Sequence, residues 1–122
     1  IRELTAANIK ISMGHSAATY EQGQLALQSG ATLLTHLFNA MSPLHHREPG
    51  LVGLIASEQQ PWYSLIADGV HVHPAVVALA YRADAQRCIL VTDWIELAGC
   101  LMECTPGTSK CRMRSGRQGT RQ

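Results

Sequence analysis

Four short apolar runs, each ending in a polar and chemically capable residue, constrain this chain more than any other feature. They are Ile9–Met13 (IKISM), Ala31–Leu34 (ATLL), Tyr63–Ala67 (YSLIA) and Cys88–Thr92 (CILVT), followed by His15, His36, His71 and Asp93. Strand-like and helix-like segments alternate in a repeated order, the organisation that implies parallel strands joined by crossovers and an α/β fold. The fourth run is apolar throughout, as a strand buried on both faces should be.

The intervening segments fit that plan. Ser16 reads as an N-cap for a helix over Ala17–Ser29, with Gly30 as its stop. Ser42–Gly53 holds Pro43, Pro49, Gly50 and Gly53 with His45, His46, Arg47 and Glu48. It is too irregular for a helix interior and too long for a mere connector, which marks a binding loop. Pro74 suits the first turn of a helix running to about Asp84.

Beyond Asp93 the pattern decays, giving a barrel-like body at 1–93 and a tail at 94–122 read as solvated, poorly ordered and without strand or helix pattern. At 122 residues the chain holds one main domain, and its 46% hydrophobic and 16% charged residues argue against disorder over most of its length. Net charge is +1, but residues 1–99 carry five Lys/Arg against eight Asp/Glu and residues 100–122 five against one. A mildly acidic body with a loosely basic tail, free of interleaved aromatics, gives no nucleic-acid footprint.

No run of about 18 apolar residues suggests a transmembrane helix, and no signal peptide is evident, so a cytoplasmic protein without membrane partners is expected. The chain begins with Ile1 rather than Met, which reads as numbering that starts inside a longer parent. Cys88 lies in an apolar run, while Cys100, Cys104 and Cys111 are spaced by four and seven without a C-x-x-C pair. Reduced thiols are expected, rather than a disulfide framework or a metal cluster.

Ligands of parallel barrels and open α/β sheets sit at the C-terminal strand ends, so residues from several strands converge there. Two neutral imidazoles on adjacent strand ends, His15 and His36, supply two of the three protein ligands of a catalytic zinc site. Amide hydrolysis at neutral pH then needs a proton shuttle and an oxygen clamp, for which Asp93 and His71 are the candidates. Arg47 offers a planar fork to an anion such as phosphate, with backbone N–H groups near Asn39 and Ala40 assisting. Each has a plainer alternative: His15 preceding a cap, His36 as a core histidine, Arg47 as a solvated loop charge, Asp93 as a cap or turn residue. His45 and His46 read as surface residues, and Asp68, before Gly69, as a turn former.

Five motifs in order carry a resemblance: Gly14-His15-Ser16-Ala17-Ala18-Thr19, Thr35-His36-Leu37-Phe38-Asn39-Ala40-Met41, Arg47-Glu48-Pro49-Gly50-Leu51-Val52-Gly53, Asp68-Gly69-Val70-His71-Val72 and Val91-Thr92-Asp93. With them residues 1–93 resemble the N-acetylglucosamine-6-phosphate deacetylase family of the amidohydrolase superfamily. The resemblance implies a (β/α)₈ TIM-type barrel, of which about four strand-helix units would be present as a C-terminal half. It also implies a divalent metal ion, commonly Zn²⁺, a small-molecule sugar phosphate as substrate, and a homo-oligomeric parent.

Residue by residue it makes His15 and His36 metal ligands, Asp93 the catalytic acid/base, His71 a substrate contact, Asn39 and Ala40 part of the sugar-phosphate segment, and Arg47 the phosphate arginine. The family's third ligand, a glutamate on an earlier strand, has no counterpart here, and Trp94 onward departs from the pattern. The chain by itself is therefore expected to be inactive. Two other readings are a different metal-dependent amidohydrolase and a non-catalytic truncated product.

Overall fold

The computed structural model describes residues 1–93, 101–104 and 111–114, and the chain divides into two compact units, Ile1–Thr92 and Asp93–Gln122. In the first, a short helix α1 (Arg2–Ala6) precedes β1 (Ile11–Met13), α2 (Tyr20–Gln28), β2 (Ala31–Leu34), a short 3-10 helix (Val52–Ala56), β3 (Trp62–Ile66), α3 (Pro74–Ala83) and β4 (Cys88–Val91). The four strands are all parallel and lie in the order β1-β2-β3-β4. This is the side-by-side arrangement that successive strands of a parallel barrel adopt.

The crossovers show how the sequence sets these elements. α2 begins three residues later than Ser16 would have it. Thr19 is the N-cap, its side chain accepting from the Gln22 N–H while the Gln22 side chain accepts from the Thr19 N–H. That reciprocal box satisfies two orphan donors, whereas Ser16 Oγ serves the loop by accepting from Ala18 N. The helix stops at Gly30, whose φ of +107° lies where a side chain is strained. α3 starts at Pro74 as expected, capped by the His73 side chain, which accepts from Ala75 N. Between β2 and β3 the chain crosses by the long loop and the 3-10 helix alone.

The core lies on one face of the sheet, where Leu34, Leu37, Leu51, Leu54, Tyr63 and Leu65 are fully buried against α2, the 3-10 helix and α3. Tyr63 joins sheet to helix layer: its hydroxyl proton is shared between Ala80 O at 2.8 Å, in the last turn of α3, and Asp84 O at 2.7 Å, at its C-cap. Burial also pushes the Tyr63 phenol above its ordinary range. The other face holds a groove lined by Lys10, Ser12, Leu33, Trp62 and Ile89.

Two expectations are corrected. β4 is not buried on both faces: Ile89, Leu90 and Val91 are exposed, because β4 is an edge strand with β3 as its one neighbour among the described strands. Nor is the tail without strands, since Leu101–Cys104 (β5) and Cys111–Arg114 (β6) pair as an antiparallel ladder. The expectation of poor order over the rest of 94–122 lies outside the described residues.

Candidate metal and substrate site at the strand ends

β1 and β2 deliver His15 and His36 to the same place. Gly14 makes this possible, since a Cβ there would lie 2.7 Å from Thr35 Cβ, so only a residue without a side chain lets the two strand ends close. The seam is tied by Thr35 N donating to Met13 O at 2.7 Å, by the Ser12 and Thr35 hydroxyls bonding each other, and by a parallel bridge between Ser16 and Met41. As a result the His15 and His36 rings stand edge to face with centroids 4.6 Å apart.

Both histidines sit in the left-handed backbone region, with φ of 47° and 32°, and Phe38 and Ala40 follow at 76° and 52°. Such conformations cost about 1–3 kcal/mol each and persist where surrounding bonds enforce them. Ser64, buried in the middle of β3, provides the bonds: its hydroxyl accepts from His36 N at 2.7 Å and its carbonyl accepts from Leu37 N at 2.8 Å. The His36 ring is oriented too. Its Nδ1 lies 3.1 Å from Asn39 O, a carbonyl that can only accept, so Nδ1 carries the proton and Nε2 keeps its lone pair. A backbone-anchored Nδ1–H is the usual outer support of a metal-ligating imidazole.

Among the described residues no group of three or more His, Cys, Asp or Glu side chains could hold an ion. His15 and His36 therefore fit a catalytic ion as two of the three protein donors it needs. Asn39 and Ala40 share the turn that fixes His36, with Asn39 N donating to His36 O. Arg47 is exposed, in a loop pinned by its neighbour: Glu48 Oε1 accepts from Tyr20 N at 2.8 Å and from Gly50 N at 3.1 Å. His45 and His46 are exposed as expected, their ring centroids 4.2 Å apart.

His71 lies in the turn after β3 with its Nδ1 2.6 Å from Asp68 Oδ2. Asp68 is a turn former, as the sequence suggested, but also this ring's partner. Its carboxyl is held down at about 2, first by the His71 N–H, then by the His71 ring and the Val70 N–H. Asp93 follows β4 by two residues, is exposed, and opens the second unit.

Three residues that shape the site were missed as such: Gly14 as the seam, Ser64 beneath His36, and Glu48 as the loop anchor. Only Asp68, three residues before a histidine, left a signal in spacing.

A parallel β/α sheet with paired histidines at its strand ends is the arrangement of part of a β/α barrel of the amidohydrolase fold. The chain is 50% identical to the N-acetylglucosamine-6-phosphate deacetylase of Rattus norvegicus, over 81% of this chain and 25% of that protein. It is 46% identical to an N-acetylgalactosamine-6-phosphate deacetylase of Escherichia coli O157:H7, over 81% of this chain and 26% of that one. The structure of a mutant N-acetyl-D-glucosamine-6-phosphate deacetylase from Mycobacterium smegmatis, in complex with N-acetyl-D-glucosamine-6-phosphate, superposes with a TM-score of 0.76 at 36% identity, covering 80% of this chain and 26% of that one. No family model matches the chain. By these similarities the chain is related in sequence and fold to a part of the N-acetylglucosamine-6-phosphate deacetylases, and it spans about a quarter of the length of the curated relatives it matches.

Proposed function

We propose that this chain carries part of the site for metal-dependent hydrolysis of the N-acetyl group of N-acetylglucosamine 6-phosphate, giving glucosamine 6-phosphate and acetate. The observation that carries this reading is the His15–His36 pair, with rings 4.6 Å apart and His36 Nδ1 committed to Asn39 O. His15 and His36 would hold the ion, for which Zn²⁺ suits two imidazoles. Such an ion supplies Lewis acidity toward a carbonyl and makes water a competent nucleophile near neutral pH.

The chain's own residues do the rest. His71 holds the acetyl carbonyl oxygen. Asp93 takes the proton from water and returns it to the leaving nitrogen. Arg47 binds the 6-phosphate through its fork, and the N–H groups at Asn39 and Ala40 position the sugar phosphate. The likeness to a complex with that sugar phosphate supports this substrate class. The bacterial relative named for the galactosamine epimer favours a second reading, in which N-acetylgalactosamine 6-phosphate is the substrate of the same site.

Thermal unfolding with and without Zn²⁺ tests the metal half. A ligand that binds only the folded state at 100 times its Kd stabilises by about 2.7 kcal/mol. The melt should rise with Zn²⁺, and the rise should vanish in a His15→Ala/His36→Ala double variant. A melt indifferent to Zn²⁺ would sink the metal assignment. Titrating the two epimeric sugar phosphates against wild type and Arg47→Ala tests the other half and ranks the two readings.

A further inference from the structure

One carboxylate, Asp68, sets both the backbone and the ring of His71. Its Oδ1 accepts from Val70 N and from His71 N, each at 2.9 Å, while its Oδ2 lies 2.6 Å from His71 Nδ1. Packing does little of this work: Val70 is 86% exposed, and Gly69, at φ +76°, has nothing within 4 Å of where a Cβ would stand. Val72, 4% exposed, is the nearest buried anchor. Asp68 also lines the groove at the ends of β3 and β4, with Ala67, Leu90, Val91 and Thr92.

We infer that Asp68 is a positioning residue that aims the His71 imidazole at the substrate oxygen, resting on the reading above that His71 contacts the sugar phosphate. A carboxylate only accepts, so Nδ1 is the proton-bearing nitrogen and Nε2 is the atom assigned to the substrate. When the ring is protonated, its Nε2–H is a charged donor suited to a carbonyl or phosphate oxygen. Asp68 stays ionised through the neutral range because three N–H groups converge on it.

Long-range ¹H–¹⁵N spectra of the histidine rings in the intact chain test this. In wild type the neutral His71 ring should be the Nδ1–H tautomer. Asp68→Asn keeps an oxygen for the Val70 and His71 amides but removes the anion. The amide shifts of the turn should persist, the ring should turn to a tautomer mixture, and N-acetylglucosamine 6-phosphate should bind on the order of 10-fold more weakly. Asp68→Ser, which also keeps a turn-forming acceptor, is the second variant should the first unfold. A His71 tautomer unchanged in both variants overturns the proposal, leaving Asp68 a turn former. A tautomer that depends on Asp68 in a ring whose resonances ignore the sugar phosphate overturns the substrate reading instead, and keeps the positioning.

Discussion

β3 and β4 lie side by side in unbroken parallel register, from Tyr63 opposite Cys88 to Ile66 opposite Val91, yet their fates differ. Tyr63 and Leu65 are fully buried, whereas Leu90 is 63% exposed. The exposed strand is the more apolar of the two, since Cys88–Val91 has no polar residue and β3 carries Ser64. Burial is set by neighbours: β3 has a strand on each side, with the Tyr63 hydroxyl reaching under α3, while β4 has one such neighbour among the described strands. Apolar content records the environment a strand is suited to, not the one it has found.

The contrast predicts unequal costs for similar truncations. Tyr63→Ala should be the most damaging change, about 3–5 kcal/mol by chemical denaturation, since it empties the core and removes the hydroxyl that bonds the Ala80 and Asp84 carbonyls. A loss no larger than that of an edge residue would break the comparison. Gly14→Ala should cost about 1–3 kcal/mol, because its Cβ meets Thr35 across the β1–β2 seam, and should abolish any Zn²⁺-dependent rise in the melt by parting His15 from His36.

Thr19→Ala should cost about 1 kcal/mol through the lost capping box, seen as fraying of α2 in amide exchange. Leu90→Ala should change stability by less than about 0.5 kcal/mol while raising solubility, measured as the concentration at which scattering appears. The smallest effect is the acid limb. Asp68 has its carboxyl depressed from 3.8 to about 2, so its contribution is present above about pH 4 and lost as pH falls through 2. Asp68→Asn should remove that contribution, lowering stability slightly above pH 4 and flattening the profile between pH 4 and 2.

The strands were legible because four apolar runs bounded by polar residues admit few other readings; Ala31–Leu34 stands as read, and the others differ by one or two residues. The start of α2 was open to the same reasoning, for Thr19 has Gln22 three residues on, a capping-box pattern that Ser16 lacks. The β5–β6 pair was passed over because charged residues interrupt both segments. At the site, the meeting of His15 and His36 followed from the rule of strand ends. Gly14 against Thr35, and Ser64 beneath His36, did not, because each depends on the register of one strand on another, which an apolar run does not encode.

The sheet's strand order has a consequence for how the molecule is made. Because β1, β2, β3 and β4 are neighbours in the sequence as well as in space, no strand must be threaded between two that are already paired. Each can add to the growing edge as it leaves the ribosome. The loop closed at every addition is a few tens of residues at most, and its entropy rises only slowly with length. The His15–His36 seam is complete once Leu37 meets Ser64, so it can form during synthesis before α3 and β4 exist.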